Sequence, residues 1–432
     1  MFKKVVTNDL ISGSATYLLS NLLLAAIPFA LLPIMTRILS PAEYGKIAIF
    51  QALVTALAAF AGLSVSGAAN RKYYDKGLAD GVLKQFIGSC FQMLIISSIF
   101  ILLLLLAFSE SLTAWLNLDA PWVLWALFVS AAGFAINMRL GQWMIRKNAN
   151  QYGALQVTRS LVNVSLSLLF VVTLALGAEG RILAQVFTVG LFAIIALYSL
   201  WKDDLLLIFT WRADFSREIL AFGVPLIPHI VGIFLLTTVD RLIVNSELGL
   251  DQAGVYVVAI QLSSILWIIF DAFNKAYVPW LFEKLARNVD SEKRQIVTYT
   301  YLYFFIALVL SAIAFLVGPP LVVLVAGAEY VQSASIIGWL ALGQAFGGMY
   351  LMVTNYVFYS KRTGLLSLAS IVSGFLHVAL LFYMISLIGL EGAAIAFAMS
   401  MALRFMLTWW VAQLRHPMPW FSFLSNVGRN DL

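Results

Sequence analysis

Glu218 to Val244 reads EILAFGVPLIPHIVGIFLLTTVDRLIV, an apolar run broken by two prolines and closed by an Asp-Arg pair. From Ile219 to Val239 it carries no charge and is long enough to cross a hydrocarbon core. Pro225 and Pro228 each remove a backbone donor and crowd the preceding turn, so the crossing is expected to kink there. Asp240 and Arg241 follow, costly at membrane depth unless they neutralise each other, face water or meet a charged substrate.

The rest of the chain repeats this pattern. Of 432 residues, 62% are hydrophobic and 11% charged, with a mean hydropathy of +0.93, which marks an integral membrane protein. Cutting at charged residues gives eleven apolar runs of spanning length: 13–36, 47–70, 85–109, 120–138, 160–178, 182–201, 219–239, 252–270, 295–328, 330–360 and 363–390. A twelfth, 392–414, is interrupted only by Arg404. Gly318-Pro319-Pro320 should end the ninth helix before Ala328. Phe282, Leu285, Ala286 and Val289 recur at helical spacing beside charged residues, as in a helix lying along the membrane surface.

Twelve crossings put both termini on one side. That side carries 22 of the 27 Lys and Arg, and the opposite side only Arg37, Lys46, Arg181 and Arg241, with Arg404 inside a span. Cationic loops stay in the cytoplasm, so both termini are expected there. The formal charge of +6 is accordingly a topology signal and no argument for nucleic acid. Met1 to Ser12 is polar and leads straight into a span, so no cleavable signal is expected. The single cysteine, Cys90, excludes an intrachain disulfide, and three scattered histidines offer no metal constellation.

Three anchors recur at nearly constant offset. Glu43-Tyr44-Gly45 pairs with Gln252-Ala253-Gly254, Arg146-Lys147 with Lys361-Arg362, and Gly177-Ala178-Glu179-Gly180 with Gly389-Leu390-Glu391-Gly392. They predict an all-α polytopic membrane protein of twelve transmembrane helices in two pseudo-symmetric six-helix bundles. The expected organisation is an N-terminal lobe over 1–201, a cytoplasmic connection over 202–217 and a C-terminal lobe over 218–432.

Leu32-Pro33-Ile34-Met35-Thr36-Arg37-Ile38-Leu39-Ser40-Pro41-Ala42-Glu43-Tyr44-Gly45 resembles the first outer loop of Wzx-like O-antigen flippases. Pro225 to His229 through Asp240-Arg241 is similar to their seventh helix. These flippases belong to the multidrug/oligosaccharidyl-lipid/polysaccharide (MOP) exporter superfamily. The resemblance implies two six-helix lobes around a central cavity and, as substrate, an undecaprenyl-diphosphate-linked oligosaccharide moved to the periplasmic leaflet by alternating access. It also implies a place in O-antigen or related surface polysaccharide synthesis, beside a polysaccharide polymerase and a chain-length regulator. No phosphate-cradling Gly-Lys-Ser/Thr loop is present, so no ATPase activity is expected; no cofactor is called for, and a proton or sodium gradient is the energy source to consider.

A diphosphate head needs cations inside the bundle. The substrate-binding candidates are Arg139, Arg159, Lys275 and Arg404, of which Arg404 interrupts a span near its middle. Against that stand a structural ion pair for Arg404 and snorkelling to the interface for Arg139 and Arg159. Asp271 lies four residues before Lys275, a spacing that gives either a self-neutralised pair or an ion-coupling acid. Arg37, Asp240 and Arg241 form a candidate outer gate, with local capping as the equal alternative. His229 and His377 are read as packing residues rather than proton carriers.

Three other functions compete, of which a lipid-linked peptidoglycan-precursor flippase is chemically close but normally resembles a fourteen-helix arrangement, where only twelve spans are found here. An ion-coupled small-solute or multidrug exporter of the same fold would need an acid inside a lobe, and the first six spans contain none. A membrane polysaccharide polymerase or ligase would need outer loops large enough to build a pocket, and these loops are short.

Overall fold

The computed structural model describes residues 26–63, 65–75 and 81–420; the beginning of the first predicted span and the end of the tail lie outside them. Every regular element among the described residues is helical. In chain order they are α1 (Ala26–Met35), α2 (Pro41–Phe60), α3 (Ser66–Lys72), α4 (Val82–Ala107), α5 (Ser109–Leu116), α6 (Ala120–Ile145), α7 (Ala149–Leu168) and α8 (Gly177–Lys202). There follow α9 (Ala213–Gly223), α10 (Ile227–Thr237), α11 (Val239–Leu248), α12 (Leu250–Arg287), α13 (Asp290–Ala326), α14 (Ser333–Tyr359) and α15 (Gly364–Arg415). Ten helical stretches among the described residues are long and apolar enough to cross a membrane. The last, 52 residues long, is broken at Ile388 and Gly389, where φ of Gly389 is +62°. Outward-facing apolar stripes at helical spacing, such as Ile95, Ile99 and Leu103 on α4 and Leu302, Ile306 and Val309 on α13, are what a bilayer solvates.

Compact packing divides the chain into two units. One holds the described residues of Met1–Phe234 with Leu248–Gly254, the other Leu235–Glu247 with Val255–Leu432. The division falls inside the seventh crossing rather than before it, because α9 packs on α3 and α4.

In the first unit, the motif before α2 is a capping box. Ser40 Oγ accepts from the Glu43 backbone N–H at 3.3 Å, and Glu43 Oε2 accepts from Ser40 N–H at 3.0 Å. Ser130 Oγ donates to the Val54 carbonyl at 2.9 Å, fastening α6 to α2. Residues 203–212 lie along α4, with Gln92 donating to the carbonyls of Ile208 and Thr210 and Gly88 leaving no room for a Cβ beside Leu207 O. Lys72 joins α3 to Glu218 of α9 at 3.0 Å. Burial works to lower the Lys72 ammonium, but hydrogen bonds to Glu218 and Asp75 outweigh it and hold the group above its ordinary value.

In the second unit, Gly343 meets Phe397 and Ala398, Gly347 meets Trp267, and Gly348 meets Phe270. Helices in lipid gain little from burying apolar surface against one another, so such close approaches supply the packing energy. Asn355 Nδ2 donates to Asn274 Oδ1 at 2.8 Å between α14 and α12, and Ser333 Oγ donates to Val255 O at 2.7 Å. Tyr301, Phe304, Phe405, Trp409 and Trp420 form an aromatic cluster with ring centroids 5.2–6.3 Å apart.

Several sequence expectations meet the structure directly. The double-proline run breaks where predicted, into a 3-10 turn over Val224–Leu226. The repeat anchors share local conformation: Gly177 and Gly389 have φ of +57° and +62°, and Gly180 and Gly392 each press on the backbone of the preceding helix. Two expectations are corrected. Helix α13 runs through Pro319 and Pro320 to Ala326, because Gly318 sits against Ile337 and neighbouring helices tolerate the lost donors. The amphipathic stretch around Leu285 is the end of α12 itself, whose 38 residues extend about 57 Å and so project beyond the hydrocarbon.

Candidate substrate-binding site

Three helices of the first unit line an open polar cavity of ≈ 280 Å³. Gln51 reaches it from α2, Arg159, Ser160 and Asn163 from α7, and Arg181, Gln185 and Thr188 from α8. The spacing explains the lining: 159 and 163 are one turn apart, and 181, 185 and 188 repeat on one helical face. Gln185 Nε2 donates to Gln51 Oε1 at 3.0 Å, holding both amides at the wall. Arg181 Nη1 is buried without a hydrogen-bond partner. Among the lining residues are two guanidiniums and no carboxylate. Two like charges so placed are costly at membrane depth, and an anion between them relieves the cost.

Arg159 is the eleventh residue of α7, about 15 Å along it, because the helix starts at Ala149 and not at the first uncharged residue. Its depth is therefore greater than segmentation by charge suggests. Arg181, Gln51 and Gln185 are not among the candidates that the sequence singles out. The signal for them is the Arg181-Gln185-Thr188 periodicity inside a run otherwise read as apolar.

Arg139 does not line this cavity. It is 1% exposed, its Nη2 pairs with Asp203 at the end of α8, and its guanidinium lies 4.2 Å from the Trp143 ring centroid. The snorkelling reading is thereby corrected to a buried ion pair, since α6 delivers the side chain to the Asp203 carboxylate.

In the second unit, Arg404 on the return half of α15 is buried, with its guanidinium 3.9 Å from the Tyr350 ring centroid and its Nε unpartnered. No carboxylate ion-pairs with it among the described residues. Lys275 Nζ lies 2.5 Å from Asp271 Oδ2 on α12, the exposed ammonium and half-buried carboxylate forming the self-neutralised arrangement. Within this unit Arg404 is thus the buried cation and Lys275 the paired one.

The gate candidates have different local settings within their own units. Arg37 is exposed in the turn after α1. Asp240 is fully buried: Tyr256 Oη donates to its Oδ2 at 3.0 Å, and the Arg241 backbone N–H donates to its Oδ1 at 2.9 Å. Arg241 Nε stands 4.0 Å from the same carboxylate. Asp240 thus has the local pairing that stood as the alternative to an outer gate, since α11 turns it into the unit.

Comparison with known proteins places this geometry in a family. The profile of the family described as "Polysaccharide biosynthesis protein" matches residues 10–285. An uncharacterised membrane protein of Haemophilus influenzae is 26% identical over 377 residues, 86% of this chain and 90% of that protein. Among solved structures, the chain is similar to the lipid II flippase MurJ in an inward closed conformation, with a TM-score of 0.74 and 13% identity over 98% of this chain and 93% of that one. It is also similar to an inward-facing multidrug resistance MATE-family transporter of the MOP superfamily, with a TM-score of 0.68 and 16% identity over 94% and 96% of the two chains. At such identities the likeness is one of fold: an all-α polytopic membrane protein with the MOP exporter architecture.

Proposed function

Because this chain belongs to the polysaccharide biosynthesis protein family and is a transporter of the MOP fold rather than an enzyme, we propose that it flips undecaprenyl-diphosphate-linked oligosaccharide from the cytoplasmic to the periplasmic leaflet. The observation that carries this reading is the cavity lined by Arg159 and Arg181 without a carboxylate. Its guanidiniums suit a diphosphate, which they grip through charge-assisted hydrogen bonds. Gln51, Asn163 and Gln185 add donors and acceptors suited to sugar hydroxyls. Arg404, the buried cation of the second unit, is kept as a further substrate-binding candidate, and Arg139 is assigned to holding α6 against the end of α8. Motion at the Val224–Leu226 turn in the seventh crossing fits alternating access, with both termini in the cytoplasm of the host.

The same cavity argues against export of cationic drugs, which two arginines repel. Deleting the gene in its host tests the assignment. Accumulation of lipid-linked repeat units on the cytoplasmic leaflet, with loss of surface polymer and rescue by the wild-type chain, is the expected result. Normal surface polymer with altered drug sensitivity would transfer the chain to the exporter reading.

A further inference from the structure

Ser400 fixes the protonation of His377. Its Oγ donates to the Ala396 carbonyl at 2.7 Å and so uses its one proton; at 2.9 Å from His377 Nδ1 it must then accept. His377 therefore holds its proton on Nδ1 and presents a bare lone pair at Nε2. The residue is fully buried, and Nε2 has no hydrogen-bond partner.

The charged surroundings are specific. Asp240 lies within electrostatic reach of the ring, backed by Tyr256 and Arg241. Arg404 follows Ser400 by one turn on the return helix. The two halves of α15 run antiparallel about the break at Gly389, with His377 bonded to Ser400, so Ser373 falls level with Arg404 and Ser370 level with Thr408. Ser370, Ser373 and Thr408 are fully buried, and their hydroxyls lack partners just as His377 Nε2 does. Four orphaned polar groups on these two helix segments leave unmet hydrogen-bonding capacity at this level of the unit.

We propose that this is a proton-binding site. His377 Nε2 takes one proton on its bare lone pair and becomes an imidazolium. It releases the same proton when the unit changes state, and Nδ1–H stays bonded to Ser400 throughout. Asp271, the alternative coupling acid in the sequence, is ion-paired with Lys275. The role of the site in driving transport rests on the flippase reading; proton binding does not.

The test is ¹⁵N NMR of ring-labelled histidine in the full chain in nanodiscs, with the His377 signal assigned by its loss in His377→Gln. The expected result is a neutral Nδ1–H tautomer that titrates reversibly between about pH 5 and 8. Asp240→Asn should lower the midpoint, since a nearby carboxylate favours the imidazolium. A ring that keeps one protonation state across this range, a neutral Nε2–H tautomer, or a midpoint indifferent to Asp240→Asn would each overturn the proposal. If His377→Gln fails to fold, Ser400→Ala serves instead: it must alter the tautomer balance, and an unchanged ring would refute the argument. In proteoliposomes, wild type should respond to an imposed pH gradient and His377→Gln should not. A wild type that flips no lipid-linked glycan while His377 still titrates would refute the flippase reading and leave the proton site standing.

Discussion

Gly45 and Gly254 meet reciprocally at the start of α2 and α12. A Cβ on Gly45 would lie 2.1 Å from the Leu250 carbonyl oxygen, and one on Gly254 would lie 1.9 Å from that of Pro41, each the carbonyl four residues before the other glycine. Neither obstacle is a flexible side chain, so neither can yield cheaply. Gly45→Ala and Gly254→Ala should each destabilise the protein by about 1–3 kcal/mol, as overpacking does. Gly133, a helical glycine with open space for 4 Å around the place a Cβ would take, supplies the control: Gly133→Ala should be neutral or stabilising. Thermal unfolding in one detergent compares all three, and equal melting points for Gly45→Ala and wild type would contradict the packing.

Arg139 and Asp203 form an asymmetric pair, with the guanidinium buried and the carboxylate about half exposed. Solvent screening at Asp203 weakens the attraction, but loss of the carboxylate leaves a buried cation with Nε and Nη1 already unpartnered. Arg139→Ala should cost about 2–4 kcal/mol, including its lost stacking on Trp143. Asp203→Asn, which leaves the buried guanidinium without its counter-charge, should cost at least as much. A double-mutant cycle on melting temperature checks the coupling, and strict additivity would show that the pair does not hold α6 to the end of α8.

His416 follows α15 and stacks on Tyr356, with Tyr359 edge-on at 5.4 Å. Burial first, and the charge of Lys293 second, push its imidazole below the ordinary value of 6.5. The unfolded chain therefore takes the proton first as pH falls, and the folded state loses stability from about pH 6.5 downward until the folded imidazole is protonated as well. Above that window the contribution is fully present. His416→Gln should flatten this part of the stability-pH curve, measured by melting temperature between pH 5 and 8 in matched buffers. A curve superimposable on wild type would mean that His416 titrates alike in both states.

The fold was legible where a long physical signal ran through the chain. Apolar length located the crossings, Pro225 and Pro228 located the break at Val224–Leu226, and the paired glycines 177 and 389 announced turns of the same hand. Segmentation at charges fails where helices simply continue past them, as α12 does to Arg287 and α7 does from Ala149 through Arg159. The site is harder to read because partner choice is tertiary. Nothing local says that Arg139 meets Asp203, 64 residues on, or that Asp240 turns inward to Tyr256. Arg181 reads as a loop charge in the sequence, although its spacing to Gln185 and Thr188 already places three polar groups on one face.

The most direct measurement is the rate at which reconstituted protein flips undecaprenyl-diphosphate-linked glycan, compared between wild type and the Arg159→Gln/Arg181→Gln double variant. Both cations line one cavity without a carboxylate, so neutralising them relieves repulsion and should leave the melting temperature equal or higher. Flipping should nevertheless fall by about tenfold or more, the loss expected when charge-assisted contacts to a diphosphate are removed. A folded double variant that flips at the wild-type rate would contradict the assignment of this cavity to the substrate.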